Sequence, residues 1–234
     1  MENSIESFLN EIQERVNRLE SARLERLDAK AVSMSAKLPY KVMLYREVLA
    51  WRMAELGRES LDSFQKHKLV ATAVLTRAAM ETAAALWYLR VKVDTAVESG
   101  AVGDIDDYLM KLMMGTATGD PNVADPVLPR PIKIGKFLEA VERDVQGFSH
   151  QYGVLSEYAH PNWAGTSSLY SKHIPEDRST LFGQNIRGEG TKTVAVVNLG
   201  VALMMFEATY SQIGDLMPAF IELCERALGE PKTT

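Results

Sequence analysis

Cysteine is all but absent from this chain. Cys224 stands alone among 234 residues, which excludes an intrachain disulfide and any site built from several thiolates, and fits a reducing compartment. Proline and glycine are sparse at nine and fifteen, and with 46% hydrophobic residues the composition excludes general disorder. Excess positive charge is missing too. A net charge of −5 and a pI near 5.5 speak against a broad nucleic-acid-binding face, although they leave room for a local basic pocket. The opening Met-Glu-Asn-Ser-Ile-Glu has no hydrophobic signal core, so a cytoplasmic location is expected. No apolar run of membrane length is free of charge either. The windows 69–89 and 194–221 carry Arg77 with Glu81 and Glu207 with Asp215. Such charges are costly in lipid but can be paired in a protein core, so both windows are read as buried helices and no membrane partner is expected.

What the sequence does have is helical periodicity. Residues 4–37 carry Ile5, Ile12, Val16, Leu19, Leu27 and Met34 on one broad stripe, with Glu11, Glu14, Arg15, Arg18, Glu20, Arg23, Glu25 and Arg26 between them. This predicts a single long amphipathic helix whose outer face is solvated and ion-paired. At about 1.5 Å per residue it would reach roughly 50 Å, more than a compact domain of this size needs. Residues 1–37 are therefore read as a separate N-terminal helix, and residues 38–234 as a helical bundle domain. Leu38-Pro39 breaks the pattern, and 40–56 resumes it with Val42, Tyr45, Val48, Leu49, Met53 and Leu56, stopped by Gly57.

Another helix is expected from Ser60 to about Glu98, bent near His67 and ended by Gly100 and Gly103. Asp104 reads as the N-cap of a short helix, 105–114, stopped at Gly115. The seventeen residues from Gly115 to Pro131 hold four prolines and two glycines, which marks a mobile or functional loop. Helices follow over 132–145 and 152–160, the first closed by Gly147. From Ser167 the period changes to two around Pro175-Glu176-Asp177-Arg178, which predicts a β-hairpin over 167–187. A last helix, 192–228, is expected to kink at Pro218. The predicted fold is all-α: a single multi-helix bundle with a small β-hairpin insertion near 167–187.

Two places concentrate candidate chemistry. Arg77 and Glu81 lie one turn apart in an apolar helix, and a buried charge has to be paired and hydrogen-bonded or its desolvation goes uncompensated. The plain reading is an ion pair that fixes helix register. The functional reading has the pair orienting His160 or contacting a bound anion. The second place is the segment Tyr152-Gly153-Val154-Leu155-Ser156-Glu157-Tyr158-Ala159-His160-Pro161-Asn162. Pro161 stops the helix and leaves His160 at its C-terminus, which favours an imidazolium. The set His160, Arg77, Glu81, Tyr152 and Glu157 is the candidate catalytic cluster; Arg77 and Glu81 are both expected to be buried, and at least one of them to bond a group of the 151–163 segment.

Glu157 and His160 also form the Glu-x-x-His unit of di-iron bundles, but those need two copies and further carboxylates. No second copy exists, so neither a metal nor another cofactor is expected. An alternative pair, Arg143 and His150, has the arginine–histidine spacing of a nuclease motif, in which histidine serves as general base on a ribose hydroxyl and arginine steadies the phosphate. Gly147 falls between them and is expected to break the helix that should hold both.

Three stretches carry a family resemblance: Leu75-Thr76-Arg77-Ala78-Ala79-Met80-Glu81-Thr82; Tyr45-Arg46-Glu47 with Trp51-Arg52-Met53-Ala54-Glu55-Leu56; and Leu155-Ser156-Glu157-Tyr158-Ala159-His160-Pro161-Asn162. Over about residues 38–225 the chain resembles a family of uncharacterised bacterial all-helical proteins with an Arg-x-x-x-Glu and His-Pro-Asn pairing, distantly similar to HEPN-type helical bundles. The resemblance implies a HEPN-like cytoplasmic protein, RNase-like or phosphate-binding, in a defence, toxin–antitoxin or stress system, with RNA or a phosphate-bearing ligand as partner. The alternative is a non-catalytic homo-oligomeric interaction protein whose Arg/Glu/His cluster is structural. A homodimer is expected on either reading, with the 4–37 helix or the last helix in the interface.

Overall fold

Three long helices carry the fold. A computed structural model describes residues 2–117, 128–184, 186 and 190–229, with backbone alone at 2–5 and 190–192. In chain order the elements are α1 (Glu2–Ala22), α2 (Ala29–Val32), α3 (Lys37–Gln65), α4 (Leu69–Ser99), α5 (Ile105–Met114), α6 (Ile134–Glu142), α7 (Phe148–Ala159), α8 (Ser167–Tyr170), β1 (Ser171–Ile174), β2 (Ser179–Phe182) and α9 (Gly190–Gly229). The chain is all-α with one small antiparallel hairpin, the architecture its periodicity predicts.

The middle of the bundle is α4. Apolar on most of its faces, it packs against α3, α6, α7 and, most extensively, α9. Ala79, Met80, Ala83, Leu86 and Leu89 of α4 and Leu199, Leu203, Phe206 and Phe220 of α9 are buried in one continuous core. Hydroxyls inside that core are turned back onto the helices that carry them. Thr72 donates to the Lys68 carbonyl at 3.0 Å, Thr82 to Ala78 at 2.8 Å and Thr209 to Met205 at 2.7 Å, which leaves these buried groups satisfied without solvent. By length and composition α4 and residues 193–229 are apolar enough to cross a membrane, yet most of each apolar window is buried inside the bundle.

Several boundaries differ from those the sequence predicts. The 4–37 helix ends at Ala22. Ile12, Val16 and Leu19 bury one face of α1, which packs on α3 and α9; a straight continuation would leave that surface. Instead the chain turns and is tied down. Trp51 Nε1 donates to the Leu24 carbonyl at 3.0 Å, with the Arg23 guanidinium 4.3 Å over the Trp51 ring. Glu225 accepts from the Ser33 hydroxyl and from the backbone N–H groups of Ser35 and Ala36. Tertiary contacts outweigh helix propensity here, as they do for most helices in water.

Neither Leu38-Pro39 nor Gly57 interrupts α3. Pro39 is its third residue, inside the first turn where the missing N–H has no helical partner to lose. Gly57 is a point of close approach: a Cβ there would lie 3.1 Å from Val16 Cγ2 and 3.3 Å from Leu203 Cδ2. The break comes later, at Lys66–Lys68, where His67 adopts φ 56°. The helix expected over 132–145 is shorter, and 167–170 forms the helical turn α8 ahead of the strands. The hairpin itself turns at 175–178 as predicted, pairing Ser171 with Phe182 and Ile174 with Ser179. α9 runs through Pro218 as one helix. Most of the Gly115–Pro131 loop, residues 118–127, and residues 185 and 187–189 lie outside the described residues.

Candidate functional site

Three of the candidate residues meet. α7 lies against α4, and this brings Tyr152 over the outward face of α4 that carries Arg77 and Glu81. Arg77 Nε donates to the Tyr152 hydroxyl at 3.1 Å, and that hydroxyl donates to Glu81 Oε1 at 2.7 Å. The Arg77 guanidinium closes the triangle at 3.3 Å from the same carboxylate oxygen and lies 5.1 Å from the Tyr152 ring centre. Burial, and then the bond to Glu81, pushes the Tyr152 phenol above its ordinary value, while Arg77 opposes this. The phenol therefore stays neutral and acts as a proton-bearing link between cation and carboxylate.

The pair does bond the 151–163 segment, but it is not enclosed. Arg77 and Glu81 side chains keep 32% and 31% of their surface. The sequence overstates their burial because alanine, abundant around them, is tolerated on either face of a helix. Val74, one turn before them, is exposed as well.

His160 does not join the cluster. Its backbone caps α7 in the extended conformation that Pro161 imposes (φ −87°, ψ 147°), and its side chain is exposed. No hydrogen bond or ion pair links it to Arg77 or Glu81. The expected reach from His160 to a buried cation is thus replaced by the Tyr152 bridge, about two turns earlier on α7. Glu157 is engaged elsewhere, accepting from Asn162 Nδ2 at 2.6 Å. Asn162 Oδ1 in turn accepts from the Gly165 N–H at 3.1 Å. The His-Pro-Asn motif is a folded turn whose polar atoms mostly serve the turn. Gly165 closes it so tightly that a Cβ would fall 2.1 Å from the His160 carbonyl oxygen.

The alternative pair is split. Arg143 caps α6 and His150 lies in α7, with Gly147 between them at φ 86°. Both side chains are exposed. Glu142 occupies the start of α7, accepting from the Gly147 and Ser149 N–H groups at 2.7 Å each. Those bonds, led by Ser149, hold its carboxyl below the usual carboxylate range. The single helix that a nuclease motif would share is not formed here.

The most deeply buried charges among the described residues are a pair that the sequence marks only through the resemblance and not as candidate site residues. Arg46 and Glu47 on α3 retain only 9% and 7% of their side-chain surface. Glu47 Oε1 accepts from Arg46 Nε at 2.9 Å and Nη2 at 2.7 Å, and from the Tyr210 hydroxyl of α9 at 2.8 Å. Arg46 also donates to that hydroxyl at 3.2 Å and lies 4.0 Å over the ring. Burial pushes the Tyr210 phenol up to about 12. The signal was present in the spacing. Val42, Arg46, Leu49 and Met53 fall on one buried face, whereas the stripe read through Tyr45 and Val48 put Arg46 outside, and Val48 proves exposed.

Among the described residues there are thus two arginine–glutamate–tyrosine triangles, one joining α4 to α7 and one joining α3 to α9. In each, the tyrosine hydroxyl donates to the carboxylate and accepts from the guanidinium. Chemically such a triangle is a closed clasp, with no lone acid, base or nucleophile left over. Among the described residues no group of three or more His, Cys, Asp or Glu is placed to hold a metal ion. Compared with protein families, with curated proteins and with solved structures, the chain has no significant match.

Proposed function

We propose that this chain is a non-catalytic, homo-oligomeric interaction protein whose polar clusters hold its helices in place. The carrying observation is that the Arg–Glu–Tyr triangles close on themselves while the excursion after α7 leaves large apolar side chains exposed. Trp163 and Phe182 are 66% and 80% exposed, and Tyr170 and Leu181 of the same excursion are exposed too. Beyond the pairing of its own two strands, the hairpin's main packing partner among the described elements is α8. An isolated two-stranded hairpin is marginal in water, and clustered exposed apolar side chains mark contact surfaces. A second copy offers the same surface in return, which is how two-fold dimers close. The interface proposed thus moves from the first or last helix to the excursion.

Light scattering at micromolar concentration tests this. The dimer mass is expected for the wild type and the monomer mass for Leu181→Ser/Phe182→Ser, with an unchanged melting curve. A wild-type monomer overturns the reading.

One observation favours the HEPN-like, RNase-like or phosphate-binding alternative: His150 and His160 are both open to solvent, as a general base must be. That reading carries with it the cytoplasmic defence or stress setting of the resemblance. It requires RNA cleavage or phosphate-ligand binding by the wild type that His160→Ala or His150→Ala removes while the variant stays folded.

A further inference from the structure

At the end of the bundle away from the candidate cluster, the start of α3, the start of α5 and the last turns of α9 enclose a cleft of about 370 Å3. That lies at the small end of the range for ligand pockets, roughly 300–1,000 Å3. Its lining is largely apolar: Leu38, Val102 and the buried Cys224 form it, with the exposed Leu228 at its edge. Its rim is not. Lys37 and Lys41 stand one turn apart in the first turns of α3 and both border the cleft. Cations at a helix N-terminus oppose the helix dipole, so this placement favours a negative group between them. Lys41 already holds one carboxylate there, that of Asp106, whose side chain is 57% exposed. Lys37 is exposed, and none of the ion pairs found among the described residues engages its side chain. The backbone N–H groups of Lys37 and Leu38 belong to the first turn, where no carbonyl of the helix can reach them. Glu225 takes the N–H groups just before these, of Ser35 and Ala36, and leaves those two for another acceptor.

We propose that this cleft binds a short carboxylate-headed acyl chain, with the chain against Leu38, Val102, Cys224 and Leu228 and the head between Lys37, Lys41 and the first N–H groups of α3. The apolar lining selects a hydrocarbon tail, and the excess of two lysines over one aspartate at the rim selects the sign of the head. A neutral or cationic amphiphile of equal length buries the same tail but leaves Lys37 unpaired or repelled.

Isothermal titration of the full chain with decanoate, decanol and decylammonium, each below its micelle concentration, separates these terms. Decanoate is expected to saturate at one per chain and to bind at least about tenfold more tightly than decylammonium, a difference that is one step on the logarithmic affinity scale. The Lys37→Gln/Lys41→Gln variant, altered only at the rim, is expected to lose that preference and keep its melting temperature. Amide resonances of Lys37 and Leu38 in the labelled wild type are expected to shift with decanoate, whatever the variant does. Equal affinity for all three amphiphiles, no saturable decanoate binding, or decanoate shifts that spare Lys37 and Leu38 each overturn the proposal.

Discussion

Replacing Glu47 by glutamine should unsettle this protein far more than the same change at Glu81, although both carboxylates complete the same kind of triangle. Glutamine keeps the shape and one carbonyl oxygen but removes the charge. At position 47 it leaves the Arg46 guanidinium, 9% exposed, without a counter-ion in the core, and places an amide N–H2 group where two N–H donors of Arg46 and the Tyr210 hydroxyl now converge. Stranding one partner of a buried pair costs about 3–5 kcal/mol. For a domain of this size that corresponds to a fall in melting temperature of roughly 6–20 °C. At position 81 the guanidinium keeps about a third of its surface in water, so solvent replaces most of what is lost and about 0.5–1.5 kcal/mol is expected. Matched urea denaturation of the two variants gives both numbers. Tyr210→Phe serves as a control within the buried triangle: it removes one hydroxyl and no charge, and should fall between the two at about 1–3 kcal/mol. Equal losses at 47 and 81, or a neutral Glu47→Gln, would show that burial does not decide the energetics of these clasps.

Acid sensitivity should trace in part to Glu225. The Ser33 hydroxyl, then the Ser35 and Ala36 N–H groups, lower its carboxyl below the ordinary value of 4.5. A pKa depressed by folding adds stability above the unfolded value and loses it as pH falls through the folded one. Melting temperatures from pH 7 to 3 are therefore expected to drop more steeply below about pH 4.5 for the wild type than for Glu225→Gln, and parallel curves would remove Glu225 from the account. Gly165→Ala should destabilise by about 1–3 kcal/mol, as overpacking does, because its Cβ meets the fixed His160 and Tyr158 carbonyls; a neutral result would mean that the turn after α7 can open at little cost.

The contrast between what the sequence reveals and what it hides has a physical basis. Periodicity reports which residues can share a face, and it is reliable where one face is clearly apolar and the ends are marked. α5 between Asp104 and Gly115, the close of α4 at Gly100 and the hairpin turn at 175–178 were all legible for that reason. It fails where a decision belongs to another helix. Nothing local ends α1 at Ala22: the turn depends on Trp51 and Glu225, distant in sequence, and Gly57 looks like a stop only until Val16 and Leu203 are seen to press on it. The candidate cluster follows the same rule. Pairing Arg77 with Glu81 needed only helical geometry, and looking to the 151–163 segment needed only the observation that polar groups crowd there. Which member of that segment would bridge the pair was a question of how α7 lies on α4, and the answer was Tyr152 rather than His160. Arg46 was hidden for the opposite reason. A charged residue on an apolar stripe is read as an interruption of the stripe, when burial with its own neutralising neighbour makes it part of the core. A sequence scan that keeps charged residues on the buried face whenever an opposite charge is adjacent, and then asks for a tyrosine on a facing helix, would have found the Arg46–Glu47–Tyr210 triangle.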